Sequence, residues 1–395
     1  PQNGDVLAFV SKPSFDPNLF IDGIDGDTWK ALNEDWQRPL INRVTQGLYP
    51  PGSTFKPFMG MALLESGKIT QNTVVPAPGA WSIPGSRHLF RDSVRRGHGS
   101  ANLSKAIQVS SDTFFYRLGY EMGIDKASPK LAEFGFGSIT GIDLPNEYRG
   151  VLPSREWKAK RFAKSENKAA REWMPGEMVS VSIGQGYNAY TPLQMAHATA
   201  SLANDGVVYQ PHLAKELLNY GSREITRINP NPAKTIPFKK DNFEYVKRAM
   251  EKVLQPGGTA HRIGGGLAYS MGGKTGTAQV VQIKQGRSYN AAALAERHRD
   301  HAWFISFAPL EKPEIAIAVL LENGGWGASA APLARSLTDF YMLNLKQGIQ
   351  PPAENISGGR HTERSITAPT VFQTAYGINT NADAESTAAS AVQGE

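Results

Sequence analysis

The chain has 395 residues, 40% of them hydrophobic and 20% charged, so it can bury a large core; at roughly 150 residues per domain it should form one large unit with appendages. Its formal net charge of +6 is modest for that length, and Lys and Arg are scattered rather than gathered into an aromatic-interleaved stripe, which argues against a nucleic-acid partner and suits an anionic membrane or wall surface. Cysteine is absent, which excludes disulfides and thiolate metal sites, and no run of roughly 18 apolar residues marks a membrane span. The start at Pro1, without Met or a signal-like segment, reads as an excised soluble part of something longer.

Taken in chain order, Val6-Leu7-Ala8-Phe9-Val10 is a short apolar run between Gly4 and Pro13 and reads as a buried strand. Loop-like sequence follows to Pro50. After Ser53, Phe55, Phe58, Met59, Ala62 and Leu63 recur at helical spacing up to Gly67, with Pro57 acceptable in the first turn. Residues 102–122 read as two helices broken near Ser110. Amphipathic helices follow at residues 191–204 and 242–254, the second stopped by Pro256-Gly257-Gly258. The texture then changes to strands at 268–271, 274–281, 301–308 and 315–321, with a charged excursion at 284–299 and a closing helix at 329–344. Residues 348–395 lack any periodic apolar face and read as a disordered tail, leaving 1–347 as the folded domain. Helices followed by consecutive strands and a returning helix make an α+β fold: a central antiparallel sheet flanked by helices, plus an all-helical subdomain.

Three short motifs stand along this frame: Ser53-Thr54-Phe55-Lys56, Ser110-Ser111-Asp112 and Lys274-Thr275-Gly276-Thr277. In order, they supply a serine nucleophile, a lysine one turn along on the same helical face, a polar shuttle, and a strand able to grip a carboxylate. The helix N-terminus, with roughly half a positive charge, and a second cation at Lys274 both disfavour an ammonium at Lys56, so a neutral Lys56 could serve as general base. The Ser53 amide, paired with that of Thr277, could donate to an oxyanion. Ser110 is the better candidate for carrying a proton to a leaving amine, while Asp112 could equally cap the helix after it. The glycines before Lys274 suit a strand that a ligand backbone approaches closely, with Thr275, Gly276 and Thr277 facing the ligand. Plainer readings exist for each: Ser53 as an N-cap with Lys56 on the surface, and Lys274 to Gly276 as a turn into an ordinary edge strand.

Decoys show how little one motif carries. A second Ser-x-x-Lys runs from Ser165 to Lys168 inside a charged stretch, and Ser14-Phe15-Asp16 and Ser288-Tyr289-Asn290 match the second motif out of order. Asp92 with His98, and His298 with His301, raise the question of metal, but neither pair has further ligands nearby, so they read as loop histidines.

With these residues in place, the chain resembles the transpeptidase domain of class B penicillin-binding proteins from residue 4 to about 345. The resemblance rests on residues 4–18, Tyr49-Pro50-Pro51-Gly52-Ser53-Thr54-Phe55-Lys56, Thr140-Gly141-Ile142-Asp143-Leu144-Pro145, Ser182-Ile183-Gly184-Gln185-Gly186 with Thr191-Pro192-Leu193-Gln194, Lys274-Thr275-Gly276-Thr277-Ala278 and Ala302-Trp303-Phe304. Asp112, and the run 150–158 leading to Trp173-Met174-Pro175-Gly176-Glu177, look like the elongation type, penicillin-binding protein 2. The resemblance implies a peptidoglycan D,D-transpeptidase in which Ser53 attacks the D-Ala-D-Ala carbonyl of a stem peptide and a second stem's amine resolves the acyl-enzyme; β-lactams stall it. It makes Lys56 the base, Ser110 the relay and Lys274 a source of positive potential, with Thr275 and Thr277 on the carboxylate. It also implies a membrane anchor and pedestal in a longer protein, a periplasmic location at the inner membrane, and a glycan polymerase and other elongation proteins as partners. Some relatives hold zinc with Asp, His and Cys; here Asp92 and His98 match but Ser111 stands in the Cys position, so no metal or other cofactor is expected. A serine β-lactamase, with Glu147, Glu166 or Glu177 placing a water, and a β-lactam sensor domain that acylates only to signal are the alternatives.

Overall fold

Every residue from Lys56 to Leu64 of the helix Lys56–Glu65 (α1) is buried. That is the pattern of a helix threaded through a core rather than lying on it. The computed structural model describes residues 1–228, 232–281 and 294–347. The expected tail at 348–395, the decoy at Ser288 and most of the excursion at 284–299 lie outside the described residues. The chain divides into two compact units, Pro1–Thr338 and one beginning at Asp339. Of the latter, the described part is a π-helical turn Phe340–Asn344 and a 3-10 turn Leu345–Gln347.

In the first unit, α2 (Leu103–Gln108) and α3 (Asp112–Met122) form the expected broken pair, capped by Asn102 and Ser111 respectively. Helix α4 (Pro192–Ala203) starts with a capping box, in which the Thr191 side chain accepts from the Gln194 N–H while the Gln194 side chain accepts from the Thr191 N–H. Helix α5 (Lys240–Lys252) follows, then three strands, β1 (Gly272–Ala278), β2 (His301–Ala308) and β3 (Ile315–Leu321), and finally α6 (Ala331–Asp339). The strands pair antiparallel in the order β3-β2-β1, with Trp303 opposite Gly276 and Leu320, and Ile305 opposite Lys274 and Ala318. The middle strand, β2, is buried from Ala302 to Ala308, which explains its unbroken apolar run. Helix α4 packs on β3 and β2, and α5 packs on β1, α1 and α2, so the α+β layering expected from the sequence is present.

Two strand expectations fail. Residues 6–10 make no strand: one parallel bridge joins Asp5 to His212, and Leu7 and Val10 are 58% and 70% exposed. An apolar run records a preference for burial, but a strand also needs a partner edge, and none runs alongside this segment among the described residues. Residues 268–271 likewise lie before the strand, which begins at Gly272.

Candidate active site

Ser53 sits in a 3-10 turn, Gly52–Phe55, that runs straight into α1. Gly52 takes φ +54°, and a Cβ there would lie 2.4 Å from the Thr277 carbonyl oxygen; a Cβ on Gly276 would come within 2.8 Å of the Pro51 oxygen. Both glycines are thus required by the contact: the serine turn and β1 press backbone against backbone, which no side chain would permit. Trp303 on β2 fixes the approach to the turn by donating its indole N–H to the Pro50 carbonyl at 3.1 Å, and the Gly52 N–H donates to Gly184 at 3.0 Å. The capping positions of the turn and of α1 are Pro51 and Phe55, so Ser53 is not an N-cap.

One turn along, Lys56 is wholly buried. Its Nζ donates to the Ser110 carbonyl at 2.6 Å, to the Ser110 Oγ at 3.2 Å and to Asp112 Oδ1 at 2.6 Å. Lys274 Nζ, from β1, donates to the same Ser110 Oγ at 2.9 Å and to the Thr275 carbonyl at 2.8 Å. Ser110 therefore bridges the two amines. It does so from a left-handed backbone, φ +58°, at the corner between α2 and α3, a conformation that costs a non-glycine residue about 1 kcal/mol and recurs at functional sites.

The charges are distributed differently from the sequence argument. Lys56 is half of a buried ion pair with Asp112, whose side chain is 17% exposed. The lysine pushed towards its neutral form is Lys274: complete burial lowers its pKa well below the ordinary 10.5, Lys56 adds to the effect and Asp112 opposes it. A lysine depressed in the folded state binds fewer protons than in the unfolded chain, so stability rises with pH towards the ordinary lysine value and falls as pH drops below it. Relative to Lys274→Met, the wild-type chain should gain stability as pH rises towards the ordinary lysine value, read by urea unfolding; a difference constant with pH would contradict the depression at Lys274.

Asp112 does not cap α3; Ser111 does, accepting from the Phe114 N–H. The buried carboxylate beneath that helix start is Asp92. Its Oδ2 accepts from the Asp112 N–H at 2.8 Å, the Thr113 N–H at 3.2 Å and the Ser111 hydroxyl at 3.1 Å, and its Oδ1 meets His98 Nε2 at 3.1 Å. Burial opposes the ionised form, but the Val94 and Thr113 N–H donors, with Lys56 and His98, hold the Asp92 pKa below the usual value. Thus Asp92, His98 and Ser111 do meet, as a hydrogen-bonded helix anchor. No three His, Cys, Asp or Glu side chains gather as a ligand set among the described residues.

The β1 side completes the site. The Thr275 hydroxyl pairs with that of Thr259 at 2.7 Å, the Thr277 hydroxyl accepts from the Gly327 N–H at 2.9 Å, and Gln185 donates to the Thr277 carbonyl at 3.1 Å. Each threonine hydroxyl is oriented by one partner and retains capacity for another. Thr259 and Gln185 were missed as site residues: Thr259 follows a glycine pair that reads only as a helix stop, and Gln185 belongs to a loop without periodicity. The decoys stay apart. Asp16 caps the 3-10 turn Pro17–Phe20, Lys168 opens the exposed turn Lys168–Arg171, and His301 accepts from the Asn323 N–H.

A serine at a helix start, two lysines joined through a second serine, and a threonine-lined strand stand together in one place, and the chain belongs to the penicillin binding protein transpeptidase domain family, whose profile matches residues 1–339. It is 46% identical over 365 residues to the peptidoglycan D,D-transpeptidase MrdA of Acinetobacter baumannii, covering 92% of this chain and 52% of that protein. Among solved structures it is similar to PBP2 of Pseudomonas aeruginosa in complex with WCK 5153 (TM-score 0.74, 40% identity, 87% of this chain and 72% of that one). It is also similar to PBP2 of Helicobacter pylori in complex with MreC (TM-score 0.72, 36% identity, 87% and 59%). The chain spans about half the length of the curated relatives it matches.

Proposed function

We propose that this chain is the D,D-transpeptidase domain of an elongation-type penicillin-binding protein, cross-linking peptidoglycan stem peptides through an acyl-enzyme on Ser53. The observation that carries the reading is the Ser110 hydroxyl held between Lys274 and Lys56, the latter three residues on from Ser53. A stem peptide ending in D-Ala-D-Ala lies along β1, its terminal carboxylate accepting from Thr275 and Thr277. That negative charge favours an ammonium at Lys274. A proton then passes from Lys56 to Ser110 and from Ser110 to Lys274, which leaves Lys56 neutral and gives Lys274 the positive charge. Neutral Lys56 takes the Ser53 proton as Oγ attacks the carbonyl carbon, and the Ser53 and Thr277 amides receive the oxyanion. Collapse releases D-alanine, whose amine is protonated through Ser110. An amine of a second stem then restores Ser53.

The β-lactamase alternative finds little support. Glu177 is tied to Lys158, the Met174 N–H and Tyr187, and Glu147 accepts from the Thr140 and Gly141 N–H groups, so neither carboxylate is available to position a hydrolytic water. Family likeness favours a periplasmic setting at the inner membrane, the Helicobacter pylori complex favours an MreC-like scaffold as partner, and likeness to a peptidoglycan synthase complex that coordinates polymerization and crosslinking (TM-score 0.70, 31% identity) favours a glycan polymerase. No helix among the described residues is long and apolar enough to cross a membrane. Intact-protein mass measurement after penicillin treatment should find a covalent adduct that persists for many minutes, and a donor pentapeptide with an amine acceptor should give cross-linked product. Turnover of the adduct within seconds would favour the hydrolase, and a stable adduct without cross-linking the sensor.

A further inference from the structure

Four residues before Ser53, the Tyr49 ring is buried against β2: it meets His301 edge-on with ring centroids 5.3 Å apart, and Trp303 at 6.3 Å. Its hydroxyl donates to Glu322 Oε1 at 2.6 Å, and burial together with that carboxylate raises the Tyr49 pKa, so the phenol keeps its proton and remains the donor. Glu322 lies just past the end of β3, and its other oxygen accepts from Arg43 Nε at 2.7 Å. Arg43 opens the short helix Arg43–Gln46, and its two terminal nitrogens donate to the Arg38 and Gln37 carbonyls. One carboxylate thus ties the segment before the nucleophile to the end of the sheet, and its hydrogen bond with Tyr49 joins residues 273 apart in the chain.

The placement of Tyr49 is passed on to Ser53. Its backbone pairs both ways with Tyr190, at 3.1 and 2.9 Å, the Pro50 carbonyl accepts from Trp303, and the rings of Pro50 and Pro51 fix their own φ. Little torsional freedom is left between Tyr49 and Gly52, so a shift of the Tyr49 ring must reappear at the serine turn. The same ring packs on the part of β2 that pairs with the end of β1: His301 is opposite Ala278, and Ala302 is opposite Thr277. We propose that Glu322 is a positioning residue for acylation. Acting through Tyr49, it sets the serine turn against β1 so that the Ser53 and Thr277 amides converge on one oxyanion, a role that rests on the acyl-enzyme reading given above. Glu322 itself touches no reacting atom.

The test separates the two constants of penicillin acylation, the dissociation constant of the non-covalent complex and the rate of acylation, by stopped flow well below the melting temperature of each variant. Tyr49→Phe and Glu322→Ala should each slow acylation about tenfold and leave the dissociation constant within about twofold, because a misaligned oxyanion site weakens the transition state rather than the ground state. Glu322→Gln, whose amide oxygen can still accept from the Tyr49 hydroxyl, should acylate within about threefold of wild type. The double variant Tyr49→Phe/Glu322→Ala should be no slower than either single one, since both break the same link. Lys247→Ala breaks the buried ion pair between α5 and Asp205, so it should lower the melting temperature and leave the acylation rate unchanged. Tyr49→Phe, which keeps the ring and its packing, decides the matter if Glu322→Ala does not fold. Wild-type acylation in Tyr49→Phe, a change confined to the dissociation constant, losses that multiply in the double variant, or an equal fall in Lys247→Ala would each overturn the proposal. A wild-type chain that forms no covalent adduct would instead overturn the acyl-enzyme reading.

Discussion

Ser53→Ala should abolish covalent labelling of the chain by a fluorescent penicillin, while Ser165→Ala should label at the wild-type rate. Both serines stand three residues before a lysine, so the sequence pattern alone does not separate them. Their surroundings do. Lys56 is buried against Ser110 and Asp112, with Lys274 reaching the same Ser110 hydroxyl, whereas Lys168 is exposed on a short turn. Only the first lysine sits where a proton can be handed on in a dehydrated site, and only Ser53 has the amide of a helix start behind it to steady an oxyanion. Alanine at Ser53 removes the attacking oxygen, so the loss is complete rather than graded. Labelling that survives in Ser53→Ala would relocate the nucleophile and with it every role assigned around it.

Lys56→Met should slow acylation by about 10²- to 10⁴-fold, the usual range for a removed general base, and should also destabilise the fold. The second effect follows from the ion pair. Without the ammonium, the Asp112 carboxylate keeps a largely buried site and loses a 2.6 Å partner. Breaking a buried pair costs about 3–5 kcal/mol, and the partial exposure of Asp112 puts this one near the lower end. Asp112→Asn separates the two effects: its amide oxygen can still accept from Lys56, so thermal stability should fall less while the acylation rate drops by about tenfold through the altered charge balance at the two lysines. Stopped-flow acylation and thermal melts of the same preparations read both quantities. A Lys56→Met chain that acylates within threefold of wild type would remove Lys56 from the chemistry.

That the Ser53 turn, both lysines and the threonine strand belong to one place was legible because the three motifs carry particular residue types at fixed local spacing and in a fixed order. So were the helix break at Ser110 and the two strands at 301–308 and 315–321, the first apolar run being buried almost throughout and the second half-buried. What the sequence could not supply were partnerships made across distance. The pairing of Lys56 with Asp112 joins residues 56 apart, and it is Lys274, not Lys56, that burial pushes towards its neutral form. Asp92 had been weighed as a metal ligand, but its neighbours are N–H groups of a helix start that no composition or period reveals. Residues 6–10 misled in the opposite direction, since an apolar run says nothing about whether a strand edge waits beside it.

The backbone at Ser110 sets two demands against each other. Glycine would accept that left-handed corner without backbone strain, yet it would remove the one oxygen that, among the described residues, the two buried amines share. The substitution that the local backbone favours most at this position is therefore the one that the two amines tolerate least. Serine at this corner is thus held against its backbone preference by the two amines that donate to it.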